Sequence, residues 1–269
     1  MSCAELIGRI EQIGHAFARE HSVKLVTGRV LDERVLLSLH RSDFGQDVLA
    51  GITAIAREFA APEAVTGQFA AALAGAGIVH FGFEGGGGRA ICKVYFEYVA
   101  VARAAMQKSK PDPVLVHRAI KWDREDPSRQ AVTLYTLRPD AEAAGLAAAI
   151  DSSCPLPAFR HLLHETVRLA DVRLPGIRPM ALDVAEAGNP RQSIDINLYP
   201  AGLELRDIAS LVTPVVAALD APAQLWDKLL QVHGGKQLGH VSAGQGRDGT
   251  PFATVYFGVE TGGQAANGR

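Results

Sequence analysis

The spacing of apolar residues changes period repeatedly along the chain. Leu6, Ile10, Ile13 and Phe17 recur three or four apart behind Ser2 and Glu5, a capping-box pair, so the chain is expected to open with an amphipathic helix carrying all four. From Ser22 the period becomes two. The β-rich runs 23–31 and 34–40, separated by Asp32-Glu33, predict a hairpin. Helical spacing returns at Val48, Ile52, Ile55 and Phe59, and again after Pro62 at Val65, Phe69 and Leu73, ending at Gly75 and Gly77.

Four more hairpins are expected from the same alternation. Strands 78–84 and 90–98 flank Gly85-Gly86-Gly87-Gly88, and 114–122 and 131–137 flank the charged loop 123–127. Strands 180–186 and 193–199 surround Gly188-Asn189-Pro190, and 238–244 and 252–260 surround Arg247-Asp248-Gly249. Helices are predicted between them at 98–110, 140–150, 157–170, 205–219 and 222–233, with Pro214 kinking or interrupting the fourth. The Gly- and Ala-rich tail 261–269 is expected to fray. Landmarks recur in register between the halves: Ala61-Pro62 with Ala221-Pro222, His80 with His240, and Tyr95-Phe96 with Tyr256-Phe257. This echo points to duplication of a ββαα unit.

Ten antiparallel strands with helices between successive hairpins can bury one face under those helices, and curling shut removes the exposed edges. The expected fold is therefore α/β of the α+β type: a single domain over 1–269, with one ten-stranded antiparallel barrel wrapped by helices. Eight strands already leave just enough room for side chains, so ten should enclose a lumen. The alternation supplies both walls. Val35, Leu37 and Leu39 alternate with Leu36, Ser38 and His40, and Ile194, Ile196 and Leu198 with Ser193, Asp195, Asn197 and Tyr199. Lys93, Tyr95 and Glu97 share one face, as do Thr254, Tyr256 and Gly258.

Composition narrows the classes of function. With 48% hydrophobic and 21% charged residues, disorder is excluded, and a formal charge of −2 without a basic run argues against nucleic acid. The first residues have neither a basic start nor an apolar core, and no apolar stretch approaches membrane-spanning length, so a cytoplasmic protein is expected. Cys3, Cys92 and Cys154 are scattered and read as ordinary thiols. No metal site is expected: His161 and His164 share a helix face with Glu165 and Arg168 but lack a third ligand, and a solvated face explains them. The glycine run lacks the Lys-Ser/Thr of a phosphate-binding loop.

The five-hairpin, helix-interleaved layout over essentially the whole chain, with Lys93-Val94-Tyr95 on a strand, resembles the ABBA (αββα) aromatic prenyltransferases. The resemblance implies a ten-stranded barrel that binds an isoprenyl diphosphate and an aromatic acceptor inside it. It implies K-x-Y pairs whose cation holds the diphosphate while the tyrosine shields the allylic cation. Lys93 and Tyr95 match that pair. Thr254 stands where a cation would precede Tyr256, Asn197 precedes Tyr199 in the same way, and Lys121 is a second cation followed by Asp123. Lys93 is thus the candidate for electrostatic catalysis, with His80, His240 and Glu97 as candidate bases. Tyr95, Lys121, Asn197, Tyr199, Thr254 and Tyr256 are candidate substrate-binding residues.

No cofactor is required on this reading. Magnesium is left open, because D-D-x-x-D clusters are missing while Asp123 or Asp195 could assist an ion. Oligomeric state is not legible. The alternative function is a non-catalytic small-molecule or peptide binding protein, or maturation partner, that uses the same barrel; few inward Lys and Arg residues favour it.

Overall fold

The computed structural model describes residues 2–86, 88–108, 112–138 and 143–262. Its centre is one antiparallel sheet. The strands are β1 (Phe17–Val26), β2 (Arg29–Leu31), β3 (Arg34–His40), β4 (Ile78–Gly86), β5 (Arg89–Glu97) and β6 (Val114–Asp123). They continue as β7 (Gln130–Leu137), β8 (Ala181–Glu186), β9 (Gln192–Asn197), β10 (Leu238–Gln245) and β11 (Pro251–Gly262). Each pairs with its neighbour in sequence, and β11 returns to β1 through a register running from Phe17↔Gly262 to Val26↔Phe252, which closes the barrel. β2 and β3 lie end to end against β1, through Lys24↔Leu31 and His21↔Val35, so the eleven segments fill ten positions.

The helices lie outside. They are α1 (Cys3–Glu11), α2 (Val48–Glu58), α3 (Glu63–Thr66), α4 (Phe69–Leu73), α5 (Val99–Met106), α6 (Ala143–Ser153), α7 (Pro157–Arg173), α8 (Ala209–Ala218) and α9 (Ala223–His233). Among the described residues no helix is long and apolar enough to cross a membrane.

Burial follows the period of two. Val35, Leu37 and Leu39 of β3 and Val79, Phe81 and Phe83 of β4 pack outward against Ile52, Ile55 and Phe69. Ile194 and Ile196 of β9 and Val241 and Ala243 of β10 pack in the same way under Phe159, Leu162 and Val215. Each large apolar side chain so buried contributes about 1.5–3 kcal/mol. Trp122 is buried in this outer layer and donates its indole N–H to the Phe59 carbonyl at 2.9 Å, tying β6 to the end of α2. Trp122→Phe should lower stability by about 2 kcal/mol in urea denaturation, because that carbonyl is left without its donor.

Several boundaries differ from the sequence expectation, each for a local reason. α1 stops at Glu11, and Gly14, at φ 79, turns the chain so that Phe17 begins β1. The first hairpin turns at Thr27-Gly28, where Gly28 supplies φ 72, while Asp32-Glu33 separates β2 from β3. Gly85 and Gly86 belong to β4, so the tip of that hairpin is shorter than the glycine run. The segment after Pro62 divides into α3 and α4, and the one from Leu205 into a 3-10 turn (Leu205–Ile208) and α8. Pro214 does not interrupt α8. Tyr199 lies beyond β9, opening a 3-10 turn (Tyr199–Ala201). Thr261 and Gly262 complete β11, against the expected fraying; 263–269 lie outside the described residues.

Candidate active site

Inside the barrel, the polar half of each alternation meets. Two contiguous cavities result. One, of about 370 Å³, lies at the end away from the hairpin tips and is lined by Glu20, Ser38, His80, Glu97, His117 and His240. The other, of about 460 Å³, opens toward the tips and is lined by Lys24, Arg34, Glu84, Lys121, Arg191 and Arg247. Lys93, Tyr95, Tyr135, Asp195 and Tyr256 border both.

The tip end holds two carboxylates, each surrounded by cations. Glu84 accepts from Lys93 Nζ at 2.7 Å, is paired with Arg34, and lies 3.5 Å from Lys24. Arg34 also donates to Ser22 Oγ at 3.0 Å. Glu186 lies 3.3 Å from Lys121, 3.5 Å from Arg191 and 3.1 Å from Arg247, and accepts from the Thr133 hydroxyl at 2.6 Å. Burial alone would raise both carboxyl pKa values. Arg34, Lys24 and Lys93 instead hold Glu84 well below its usual range, and Lys121, Thr133 and the two arginines hold Glu186 at about 2. Burial lowers the lysines: Lys93 to about 8, with Glu84 opposing, and Lys121 further. Here several charge-assisted donors are gathered, ready for a strong anion.

Between the two ends stands a collar of tyrosines. Tyr95 and Tyr135 have ring centroids 5.8 Å apart, and Tyr256 faces His240 at 5.7 Å. Tyr199 reaches the lumen from its turn and donates its hydroxyl to Glu20. That approach depends on Gly239, where a β-carbon would lie 2.6 Å from the Glu20 carboxylate and 2.7 Å from the Tyr199 hydroxyl. The chain has five tyrosines, and these four converge on the lumen, so a low aromatic content still furnishes an aromatic chamber.

At the far end His80 joins two partners. Its Nδ1 is 2.7 Å from Ser38 Oγ, and its Nε2 is 2.9 Å from Glu97 Oε2. Glu97, pushed up by burial, is brought below its usual range mainly by the His80 hydrogen bond. His240 makes a 2.7 Å contact with Asp195 through Nδ1 and a 3.3 Å contact with Asn197 through Nε2. Burial disfavours its charge, but Asp195 prevails and lifts its pKa to about 9. Bulges in β6 between Leu115 and His117 and in β10 between Leu238 and His240 lie beside these two histidines.

Every candidate residue from the sequence borders the lumen. Lys93 and Lys121 are register partners across β5 and β6, and Tyr95, Thr254 and Tyr256 stand beside them at the tip end. His80, Glu97, His240, Asn197 and Tyr199 gather at the far end. Of the aspartates offered for magnesium, Asp195 binds His240 and Asp123 accepts from the Glu125 amide. His164 pairs with Asp151 on an exposed helix face.

The inward cations are more numerous than the sequence reading held. Arg34 and Lys24 share the inward phase of their strands with Ser38 and Ser22, a signal open to parity, as does His117 with Lys121. Arg191 and Arg247 come from outside the strands, where alternation says nothing.

No protein-family model and no curated protein sequence matches this chain. Solved structures do. The 5-dimethylallyltryptophan synthase of Streptomyces coelicolor superposes with a TM-score of 0.61 at 16% identity, over 89% of this chain and 80% of that one. The NotF prenyltransferase superposes with a TM-score of 0.53 at 12% identity, again over 89% and 80%. The chain therefore has the closed, helix-wrapped barrel fold of the aromatic prenyltransferases.

Proposed function

We propose that this protein is an aromatic prenyltransferase, moving an isoprenyl group from an allylic diphosphate to an electron-rich ring inside the barrel. The observation that carries the reading is the division of one lumen into a cation-lined end and a histidine-carboxylate end by a tyrosine collar. The two solved relatives, named for prenyl transfer, share the barrel.

On this reading the diphosphate occupies the tip end, held by Lys93, Arg34, Lys24, Lys121, Arg191 and Arg247. These donors stabilise the charge that grows on the leaving oxygen as the allylic C–O bond breaks. The faces of Tyr95, Tyr135 and Tyr256 shield the carbocation. A ring carbon of the acceptor forms the new C–C bond, and the ring must then lose a proton. Ser38 passes it on: its hydroxyl takes the ring proton while giving its own to His80 Nδ1, and Glu97 holds the imidazolium formed. His240, already protonated against Asp195 near neutrality, positions the acceptor with Asn197 and Tyr199 instead of accepting the proton.

A non-hydrolysable dimethylallyl diphosphate analogue at a hundred times its dissociation constant should stabilise the protein by about 2.7 kcal/mol, read as a rise in melting temperature. Absence of any shift, with dimethylallyl and geranyl analogues alike, would remove the donor reading.

A further inference from the structure

The far end of the lumen contains a group that proton transfer does not fully use. His80, Glu97 and His117 come from adjacent strands β4, β5 and β6 and point inward at one level. Strand register places them together. Glu97 stands directly opposite His117, and His80, opposite Tyr95, lies on the diagonal to Glu97. One donor atom from each lies within 4.8 Å of the others. His80 Nε2 and Glu97 Oε2 are 2.9 Å apart, close to the ~3.3 Å between neighbouring ligands of a tetrahedral zinc ion with bonds of about 2.0–2.1 Å.

Two independent observations point to a ligand. His117 Nδ1 is buried and has no hydrogen-bond partner among the described residues, although buried polar atoms are nearly always paired. His80 carries the outer partner that metal-binding histidines use, Ser38 Oγ at 2.7 Å on Nδ1, which fixes the ring with Nε2 toward Glu97.

We infer that His80, Glu97 and His117 form a binding site for a divalent transition metal such as zinc, with its remaining position open to the 370 Å³ cavity. Two imidazoles and one carboxylate suit zinc, cobalt or ferrous iron and disfavour magnesium and calcium, which take oxygen ligands. The metal replaces the proton between His80 Nε2 and Glu97 and leaves the ring proton on Nδ1, so the metal-bound form and the Ser38–His80 proton relay are alternative states of one group. The open position takes an oxygen anion of a small molecule, a phenolate or carboxylate seated among Leu36, Met180 and Leu182. The site does not depend on the prenyl-transfer reading, because the metal can be measured with no diphosphate present.

The experiment is titration of metal-stripped protein with zinc by calorimetry and with cobalt by visible absorption, in a His161→Ala, His164→Ala background that removes the exposed histidine face. One equivalent should bind, and cobalt should develop the absorption bands of a four- or five-coordinate ion. Glu97→Gln and His117→Gln should each weaken binding at least tenfold, and Ser38→Ala by about tenfold. Circular dichroism identifies any variant that fails to fold. Without any lumen substitution, cobalt should broaden the imidazole resonances of His80 and His117 selectively. Binding that survives both ligand substitutions, cobalt that leaves those resonances sharp, or no uptake of one equivalent would each overturn the site. Loss of donor binding with the metal site intact would instead count against the proposed function alone.

Discussion

Lys93→Met should lower prenyl transfer by about 10²–10³-fold in kcat, with the barrel still folded. The methionine keeps most of the side chain's length and removes a charge that borders both cavities. In the resting protein that charge is 2.7 Å from Glu84, a contact a bound diphosphate would share or replace. Arg34 and Lys24 remain to neutralise Glu84, so the loss should fall on the transition state more than on stability. A pH profile gives a second reading. Burial sets Lys93 near 8, against the opposing pull of Glu84. Its charged form is therefore lost as the pH rises past that value, and donor affinity should fall with it. Steady-state kinetics of the wild type should show this alkaline limb, and Lys93→Met should lack it. A variant with unchanged kcat would take Lys93 out of the reaction.

Glu186→Gln should cost about 3 kcal/mol of stability at neutral pH. The carboxylate is nearly inaccessible, at 5% exposure, and compensates Lys121, Arg191 and Arg247 together. Removing one member of such a cluster leaves buried charge without a partner, which typically costs 3–5 kcal/mol. The pH dependence agrees in sign and size. The folded pKa lies near 2, below the ordinary 4.5, so the folded protein holds fewer protons than the unfolded chain between those values. Stability from Glu186 is thus fully present above about 4.5 and drains away as the pH falls toward 2, in total about 3 kcal/mol. Urea denaturation at neutral and acid pH should show Glu186→Gln less stable than wild type at neutrality and nearly equal to it at the acid end. An anion that binds the released cations should restore part of the loss.

The barrel was legible because one rule, the period of two, sorts every strand into an outward apolar half and an inward polar half. Parity put Lys93, Tyr95 and Glu97 on one face, and that face borders the lumen, as do His80, Lys121 and His240, which the family resemblance offered. It reached equally to Arg34 and His117, each inward by the alternation of its strand. Glu20 escaped because the first strand begins at Phe17, ahead of the period change at Ser22: the residues 12–16 that separate it from α1 carry only one weak stop signal, Gly14. Arg191 and Arg247 were not legible. Their side chains enter from the turns between β8 and β9 and between β10 and β11, where neighbouring hairpin tips meet over Glu186. Tyr199 was legible as a candidate, but its contact with Glu20, which joins residues far apart in sequence across the closed ring, was not.

Because most of the apolar packing lies between the sheet and its helices, the lining of the hollow, outside its two buried ion clusters, carries less of the scaffold's stability than the outer layer does. Leu36, Met180 and Leu182 at the far end touch the cavity from within, while Leu37 and Leu39 secure β3 from without. Selection can therefore re-upholster the chamber, exchanging one guest for another, while the frame stays standing. A library confined to such inward positions should yield many folded proteins with altered preference, an evolvability that follows directly from keeping the grease on the outside of the ring.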